Sequence, residues 1–465
     1  MSRKKMKSNK VCSIVFNSVS RDARVLKEAQ SLAQVGYEVT ILGIIDEKFS
    51  VADETLGNSV RVRRVCFRTY RTFIFSMLKL ISLISLIILI SLFKDKYATE
   101  LLIFFQLLVF SGLIYFLRES WKRLSAKRNN DSEVLGKKKA PSWFAKFWMY
   151  LRVVPFLRML WVERPAIVHC HDIQTLPLGV IAKLLLRCKL VYDAHEIYEE
   201  VPQVLLENGA RLRSFRRIHK FSQAFVDEFI TINESIAAWY AEKYPKLPKA
   251  IVIMNATPLS PEVQYDGRLH KAAGVEIETN ILLYQGGFAE HRGLGFLVKS
   301  AEHLPGNWVL VMMGWGAHEG PLKRLADAVN KTAHDSGRGD VVKFIPPAPQ
   351  SELVMWTAGG AIGVIPYENT GLNHWFCTPN KIWELPNAGL PVLVSPFPEL
   401  RKSVDIYKNG WLLPESEDLK FIGSLISSLT QKQLKEASEN SRKFIEANHW
   451  SLYERRLIDL YSKLT

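Results

Sequence analysis

Residues 378–395 read Thr378-Pro379-Asn380-Lys381-Ile382-Trp383-Glu384-Leu385-Pro386-Asn387-Ala388-Gly389-Leu390-Pro391-Val392-Leu393-Val394-Ser395. A polar loop that runs into a helix presents backbone N–H groups and partial positive charge, which suits a phosphate or a diphosphate. Pro379 is expected at the first helical position and Gly389 at the end, with Pro391 opening the buried strand Val392–Val394. Glu384 sits about a turn and a half into that helix, clear of the phosphates, where it can accept hydrogen bonds from a ribose diol. The functional reading is a nucleotide-binding element. The alternative is an ordinary α/β helix that happens to carry a Glu.

Two further clusters invite chemistry. Ile281–Tyr284 reads as a strand and leads into Gln285-Gly286-Gly287-Phe288-Ala289-Glu290-His291-Arg292-Gly293. That is a glycine turn followed by a cation at a helix start, so backbone and Arg292 together can hold a diphosphate. His169-Cys170-His171-Asp172, with His195 downstream, suggests a metal. However, His169 should point into the sheet and no third ligand stands at a fixed spacing, so no metal is expected.

The elements that must position these groups alternate strand and helix. Val11–Phe16 reads as a first strand, and Asn17–Asp22 as a polar turn. Val25, Leu26, Ala29, Leu32 and Ala33 recur at helical spacing, Gly36 stops that helix, and Val39–Leu42 follows as a strand. This is a βαβ start, as for a parallel sheet. Val60–Phe67, Ala166–Cys170, Lys189–Tyr192, Phe229–Ile232 and Ala250–Met254 continue the first unit. After a Pro-, Gly- and charge-rich hinge, Trp308–Met313, Val341–Ile345 and Ala361–Ile365 build a second. The 465 residues suffice for two such units and an insertion. Five scattered cysteines without a CxxC pattern indicate reduced thiols in a cytosolic compartment, and no secretory signal is evident. The formal charge of +15 fits an anionic membrane surface or nucleic acid. No nucleic-acid-binding pattern accompanies it, so nucleic acid is not expected as a partner.

The insertion occupies residues 70–160. Phe73–Phe93 is 21 residues with Lys79 as its one charge, and Leu101–Leu117 is 17 residues with none. As helices they would span about 31 Å and about 25 Å, beside a hydrocarbon core of about 30 Å. The favoured reading is a membrane hairpin; the alternatives are a shallow re-entrant hairpin and a pair of core helices. Arg61, Arg63, Arg64, Arg68 and Arg71 precede it, and Arg118, Lys122, Arg123, Lys127 and Arg128 follow. Basic flanks on both sides place both ends, and so the two α/β units, on the cytoplasmic face of the membrane. Asn129–Lys139 reads as a basic linker. Pro141–Trp161, rich in Trp and Phe with interspersed Lys and Arg, reads either as an interfacial helix or as aromatics packed on the sheet.

Pro379-Asn380-Lys381-x-x-Glu384, then Ala388-Gly389-Leu390-Pro391-Val392 and Pro398-Glu399, resembles the donor-nucleotide segment of GT4-type glycosyltransferases, retaining enzymes of the GT-B fold. The opening Arg24-Val25-Leu26-x-x-Ala29-x-x-Leu32-x-x-x-Gly36-Tyr37-x-Val39 is similar to theirs as well. The resemblance covers most of 11–60 and 165–464 and leaves out 70–160. It implies two Rossmann-like domains facing a cleft, an acceptor-side domain over 1–255 and a donor domain over 278–448. A hinge at 256–277 would join them, and a last helix at 449–465 would cross back.

By that resemblance Gly286, Gly287, Arg292, Pro379, Asn380, Lys381 and Glu384 bind the donor. Arg292 and Lys381 stabilise the leaving diphosphate without metal or cofactor, and His195 is the cleft histidine near the transferred sugar. Asp172 and Glu196 stand beside His195, and Asn17, Asp22 and Arg24 face the cleft; a structural histidine and solvated turn residues are the alternatives. The sequence departs from the family in two places. Phe376 stands where the first Glu of Glu-x7-Glu belongs, and Gly287 where an Arg belongs. The expected function is transfer of a sugar from a nucleotide-sugar to a lipid or lipid-linked acceptor with retention, in cell-surface polysaccharide or glycolipid synthesis. The alternatives are a nucleotide-sugar epimerase and a degenerate membrane scaffold.

Overall fold

The structure, a computed structural model, describes residues 9–20, 22–45, 51–57, 59–65, 153–201 and 209–464. The apolar runs build two sheets. The first contains β1 (Lys10–Ile14), β2 (Glu38–Ile44), β3 (Asp53–Leu56), β4 (Val60–Val65), β5 (Ile167–His171), β6 (Lys189–Ala194), β7 (Glu228–Thr231) and β8 (Ile251–Val252). Their spatial order is β3-β4-β2-β1-β5-β6-β7-β8, parallel throughout except for β3 against β4. The second contains β9 (Asn280–Gly287), β10 (Trp308–Trp315), β11 (Val342–Ile345), β12 (Ile362–Ile365), β13 (Val392–Val394) and β14 (Gly410–Leu412), ordered β11-β10-β9-β12-β13-β14 and all parallel. Parallel strands buried on both faces need the near-continuous hydrophobic runs seen here.

Each sheet reverses its winding once, between β1 and β5 and between β9 and β12. In open α/β sheets, ligands bind in the crevice outside the carboxyl ends of the strands at such a reversal. The two crevices face each other, and residues 17–20, 22–24, 172, 195–196, 286–292 and 366–381 converge there.

The helices that matter to the site are α1 (Ala23–Gln34), α2 (Val153–Glu163), α3 (Leu176–Leu186), α4 (Ala210–Ser222), α5 (Leu294–Ser300), α6 (Leu372–Trp375), α7 (Lys381–Asn387) and α8 (Trp450–Leu464). α1 forms because Asp22 caps it, accepting from the Val25 N–H, and because Val25, Ala29 and Leu32 share one buried stripe. It covers one face of the first sheet together with α8. α8 crosses from the second domain to reach it: Trp450 Nε1 donates to Ser31 Oγ at 3.2 Å, and the Tyr461 hydroxyl pairs with His169 Nδ1 at 2.8 Å. The other face carries α2, α3 and α4 side by side.

The two apolar runs of the insertion, the linker and residues 141–152 lie outside the described residues. Among the described residues no helix is long and apolar enough to cross a membrane. The described part of the aromatic stretch, α2, divides between its two expected roles. Phe156 and Leu160 are fully buried against the sheet, while Trp161 and Val162 stand in solvent. Strand β4 runs parallel to β2, so Val65 ends on the cleft edge of the sheet. The ring of Phe156, near the start of α2, lies 5.3 Å from Phe16 just beyond β1, which puts the start of α2 on the same edge. The chain therefore leaves for residues 66–152 and returns from them at the rim of the cleft.

Candidate active site at the domain cleft

On the second domain, the turn after β9 is shaped by what it must pass. Gly286 has φ +121°, and a Cβ there would stand 3.0 Å from Lys381 Cε and Nζ. A Cβ on Gly293 (φ +66°) would stand 1.7 Å from the Pro366 carbonyl oxygen. His291, itself left-handed at φ +61°, and Gly293 fold the chain tightly around Arg292 and aim it across Tyr367, whose ring centre lies 4.2 Å from the guanidinium. Lys381 comes to the same ring, with Nζ 5.5 Å from its centre and 3.3 Å from the hydroxyl oxygen. Burial, with Arg292 nearby, lowers the Lys381 ammonium to about 8. Neither cation has a carboxylate ion-pair partner among the described residues, an arrangement that suits an anion.

The helix behind them differs from expectation. It starts at Lys381, so Pro379 lies two residues before the first helical position rather than on it. The Pro379 carbonyl instead closes a tight first turn with the Ile382 N–H. With seven residues and Pro386 inside, α7 has little dipole to offer, and the side-chain charges must do most of the work. Asn380, at the cap position, makes no cap bond; its side-chain oxygen accepts from Asn255 Nδ2 across the cleft at 3.0 Å. Glu384 accepts one hydrogen bond, from Gln285 Nε2 at 3.0 Å, and Thr357 donates to Gln285 Oε1 in turn. A ribose diol could use the other carboxylate oxygen. Gly287 is open: the nearest atom to a Cβ there is 4.0 Å away, so nothing steric excludes a longer side chain.

On the first domain, Asp193 organises the site. It is fully buried at the end of β6 and receives Arg24 through Nε at 2.8 Å and Nη2 at 2.9 Å. His195 Nε2 meets the same carboxylate at 2.9 Å, while His195 Nδ1 lies 3.3 Å from Asp172. Burial alone would lower the imidazole pKa, but Asp193 and Asp172 outweigh it and push it up to about 9. His195 is thus a fixed imidazolium with both nitrogens facing carboxylates. Asp172, held at φ +68°, also takes the Tyr198 hydroxyl. Glu196 stands on the cleft wall; crowding by the surrounding protein raises its pKa, Asp172 adds to the rise, and His195 and Arg292 oppose it. Arg292 belongs to the other domain, so the two halves of the site lie within electrostatic reach.

Asn17 and Asp22 hold one another, Asn17 Nδ2 donating to Asp22 at 2.8 Å. They share a cavity of about 440 Å³ with Arg24, His195, Thr378 and Asn380, which closes from both domains. Arg24 lines it but turns its guanidinium inward to Asp193. A slightly larger pocket of about 480 Å³ lies in the second domain by Glu368, Glu415 and Glu417. Its acidic rim does not suit a diphosphate. α6 closes the cleft further, Asn373 accepting from the Ile197 N–H at 2.9 Å. The Phe376 carbonyl accepts from Asn233 Nδ2 at 2.7 Å.

The histidine pair gains the partners that its spacing lacked. His169 and His171 stack at 4.1 Å, and Glu28 and Asp193 bring four potential ligand atoms within 4.8 Å of one another. Among the described residues, Glu28 and the Nε2 atoms of both histidines have no hydrogen-bond partner. A cation already stands there, however: Arg24 Nε lies 3.1 Å from Glu28 and grips Asp193 with two nitrogens. The charges close on themselves through Arg24. Sequence reasoning missed Asp193, although its place two residues before His195 was a signal, since alternate residues of a strand share a face. Tyr367 and Glu28 gave no signal.

A family described as Glycosyl transferase 4-like domain matches residues 133–256. The match begins inside 70–160, a stretch the sequence reading left outside the resemblance. No curated protein matches the chain. Among solved structures, sucrose-phosphate synthase from Thermosynechococcus elongatus is similar at a TM-score of 0.66 and 14% identity, over 98% of both chains. Anabaena HepE in complex with UDP gives 0.63 and 13%, over 98% of this chain and 100% of that one. A trehalose-6-phosphate protein from E. coli bound with UDP-2-fluoro glucose gives 0.63 and 10%, over 97% and 98%. The architecture is thus the α/β GT-B-like glycosyltransferase fold, with a glycosyl transferase 4-like segment in its first half.

Proposed function

We propose that the protein transfers a sugar from a nucleotide-sugar to a lipid or lipid-linked glycan with retention, at the cytoplasmic face of a membrane, in cell-surface polysaccharide or glycolipid synthesis. One observation carries the reading. Arg292 and Lys381, which have no carboxylate partner among the described residues, converge on Tyr367 beside the Gly286 turn, opposite His195 and Glu196. Two such cations at a switch-point crevice form a diphosphate site, and Glu384 behind them takes the ribose. In the step itself the bond from the anomeric carbon to the diphosphate oxygen breaks while the acceptor oxygen bonds to the same face. The acceptor proton passes to the departing phosphate. Arg292 and Lys381 stabilise the charge that grows on the leaving group, so no metal is needed. His195, already protonated and held between Asp172 and Asp193, orients the sugar and takes no proton.

The acceptor class rests on the insertion. Its two apolar runs approach spanning length between basic flanks, and the chain enters and leaves it at the cleft rim. An anchor there presents the acceptor crevice to lipid. The test incubates the detergent-solubilised full chain with a panel of nucleotide-sugars, with and without membrane lipid extract. Nucleotide release that depends on lipid is expected. Failure to bind any nucleotide-sugar would overturn the reading, and release with soluble acceptors alone would overturn the acceptor class.

A further inference from the structure

The face formed by α2, α3 and α4 is built unlike the rest of the surface. Val154, Trp161 and Val162 on α2, Leu184 and Leu185 on α3, and Phe221 on α4 are large hydrophobic side chains about half or more exposed. They lie on three neighbouring helices of one sheet face. These helices run antiparallel to the strands they connect, so their C-terminal ends gather at one edge, which brings Trp161, Val162, Leu184, Leu185 and Phe221 together. Scattered single exposures need no explanation; large apolar side chains gathered on one face do.

The charge around this set is mainly positive. α4 carries five Arg and Lys and no acid, although Arg216 is paired with Glu199 at 3.0 Å; α2 adds Arg158, while Lys183 on α3 is held by Asp227. The one acid of the three helices, Glu163, is held by Arg63 at 2.7 Å. Arg164, just after α2, stands over the exposed Trp161 ring, 3.7 Å from its centre. An indole on the surface with a guanidinium over it, on a helix beside exposed leucines and next to a basic helix, is the chemistry of a lipid headgroup boundary. Apolar side chains enter the acyl edge, and cations meet the phosphates. A soluble polyanion would use the arginines but leave the leucines and Phe221 in water.

We propose that this face lies on an anionic phospholipid bilayer, as a second contact independent of residues 66–152. The inference deepens the membrane reading above and rests on it. It fixes orientation where an anchor fixes only distance: the C-terminal ends of α2–α4, at the edge away from the cleft, meet the lipid, and Val154 extends the contact toward the cleft edge where α2 begins.

The test uses the full chain with Leu185→Cys carrying an environment-sensitive fluorophore, reconstituted with vesicles of phosphatidylcholine alone or with phosphatidylglycerol. Cys12, Cys170 and Cys188 are buried, and the unsubstituted chain, labelled alike, sets the background. Ile406→Cys, exposed on the second domain, is the control. The Leu185 probe should shift to the blue and be quenched by brominated lipid when phosphatidylglycerol is present, and the Ile406 probe should not. Adding Arg213→Glu with Arg217→Glu should raise the anionic lipid needed for the shift by about tenfold or more. If the protein floats with vesicles while the Leu185 probe stays in water, this face is refuted and the anchor stands. If the protein does not float at all, both fail. A probe that answers to heparin or DNA but not to vesicles assigns the face to a polyanion and also refutes the proposal.

Discussion

Lys381 should take up a proton when a nucleoside diphosphate binds. Burial, with Arg292 beside it, holds its ammonium down to about 8, against about 10.4 for a lysine in water. A diphosphate against Nζ favours the charged form and restores the higher value. The free protein then lacks this proton in about a tenth of molecules at pH 7, half at pH 8 and nine tenths at pH 9. Binding takes up about 0.1, 0.5 and 0.9 protons at those pH values. The sign follows: affinity is full below pH 8 and falls as pH rises through it, by about tenfold between pH 7 and pH 9, or about 1.4 kcal/mol. Calorimetric titration with a nucleoside diphosphate such as UDP, in buffers of different ionisation enthalpy, measures the uptake directly. Above pH 7 the terminal phosphate is already largely ionised and adds little. Lys381→Met should remove the pH-dependent part while the protein stays folded. An uptake that does not rise with pH, or that rises equally in Lys381→Met, would refute the assignment of Lys381 to the diphosphate.

Four further outcomes are expected. Glu384→Ala should weaken nucleotide-sugar binding by about 1.5–3 kcal/mol, as for a lost charge-assisted hydrogen bond; unchanged affinity by calorimetry would end the ribose role. His195→Ala should lose most turnover while donor affinity stays within a few-fold, and full activity would return His195 to structure alone. In the intact protein, the His195 pKa of about 9 lies above its ordinary value of about 6.5. Its contribution to stability, about 3 kcal/mol at most, is therefore complete below pH 6.5 and lost as pH rises through 9. Denaturant midpoints across that range, compared with Asp193→Asn, measure it. Gly293→Ala forces a Cβ to 1.7 Å from a carbonyl oxygen in a left-handed turn. It should lower stability by about 2 kcal/mol or more and weaken diphosphate binding with it, and a normal melting temperature would show that the turn can relax.

Much of the fold was legible because it rests on short-range pattern. The spacing of Val25, Ala29 and Leu32, and runs such as Val392–Val394, locate elements that burial later confirms. The charged and polar elements were not. α4 buries only Phe215, His219 and Ser222, too thin a stripe to stand out among five basic residues. The edge strand β3 has no buried residue. In the site, the Gly286 turn, Arg292, Lys381 and Glu384 could be found because one loop and helix carry each. Asp193 and Arg24 are 169 positions apart, and no local pattern relates them. Pro379 was misplaced because proline suits the first helical turn by preference, whereas here its carbonyl closes a tighter turn one step earlier.

The crossing of α8 has a consequence for how the chain comes to be folded. Its Tyr461 closes on His169, which is 292 positions earlier, and its Trp450 seats against Ser31. At roughly 5–20 residues per second of synthesis, the first domain waits about 15–60 s after His169 is made before the helix that covers its far face exists. During that interval the face of β1 and α1 that α8 covers is open, with His169 unpartnered. The second domain, whose strands all lie within 280–412, can complete its sheet before then. The domain made first is thus the one finished last, and its exposed interval is set by the ribosome rather than by its own folding rate.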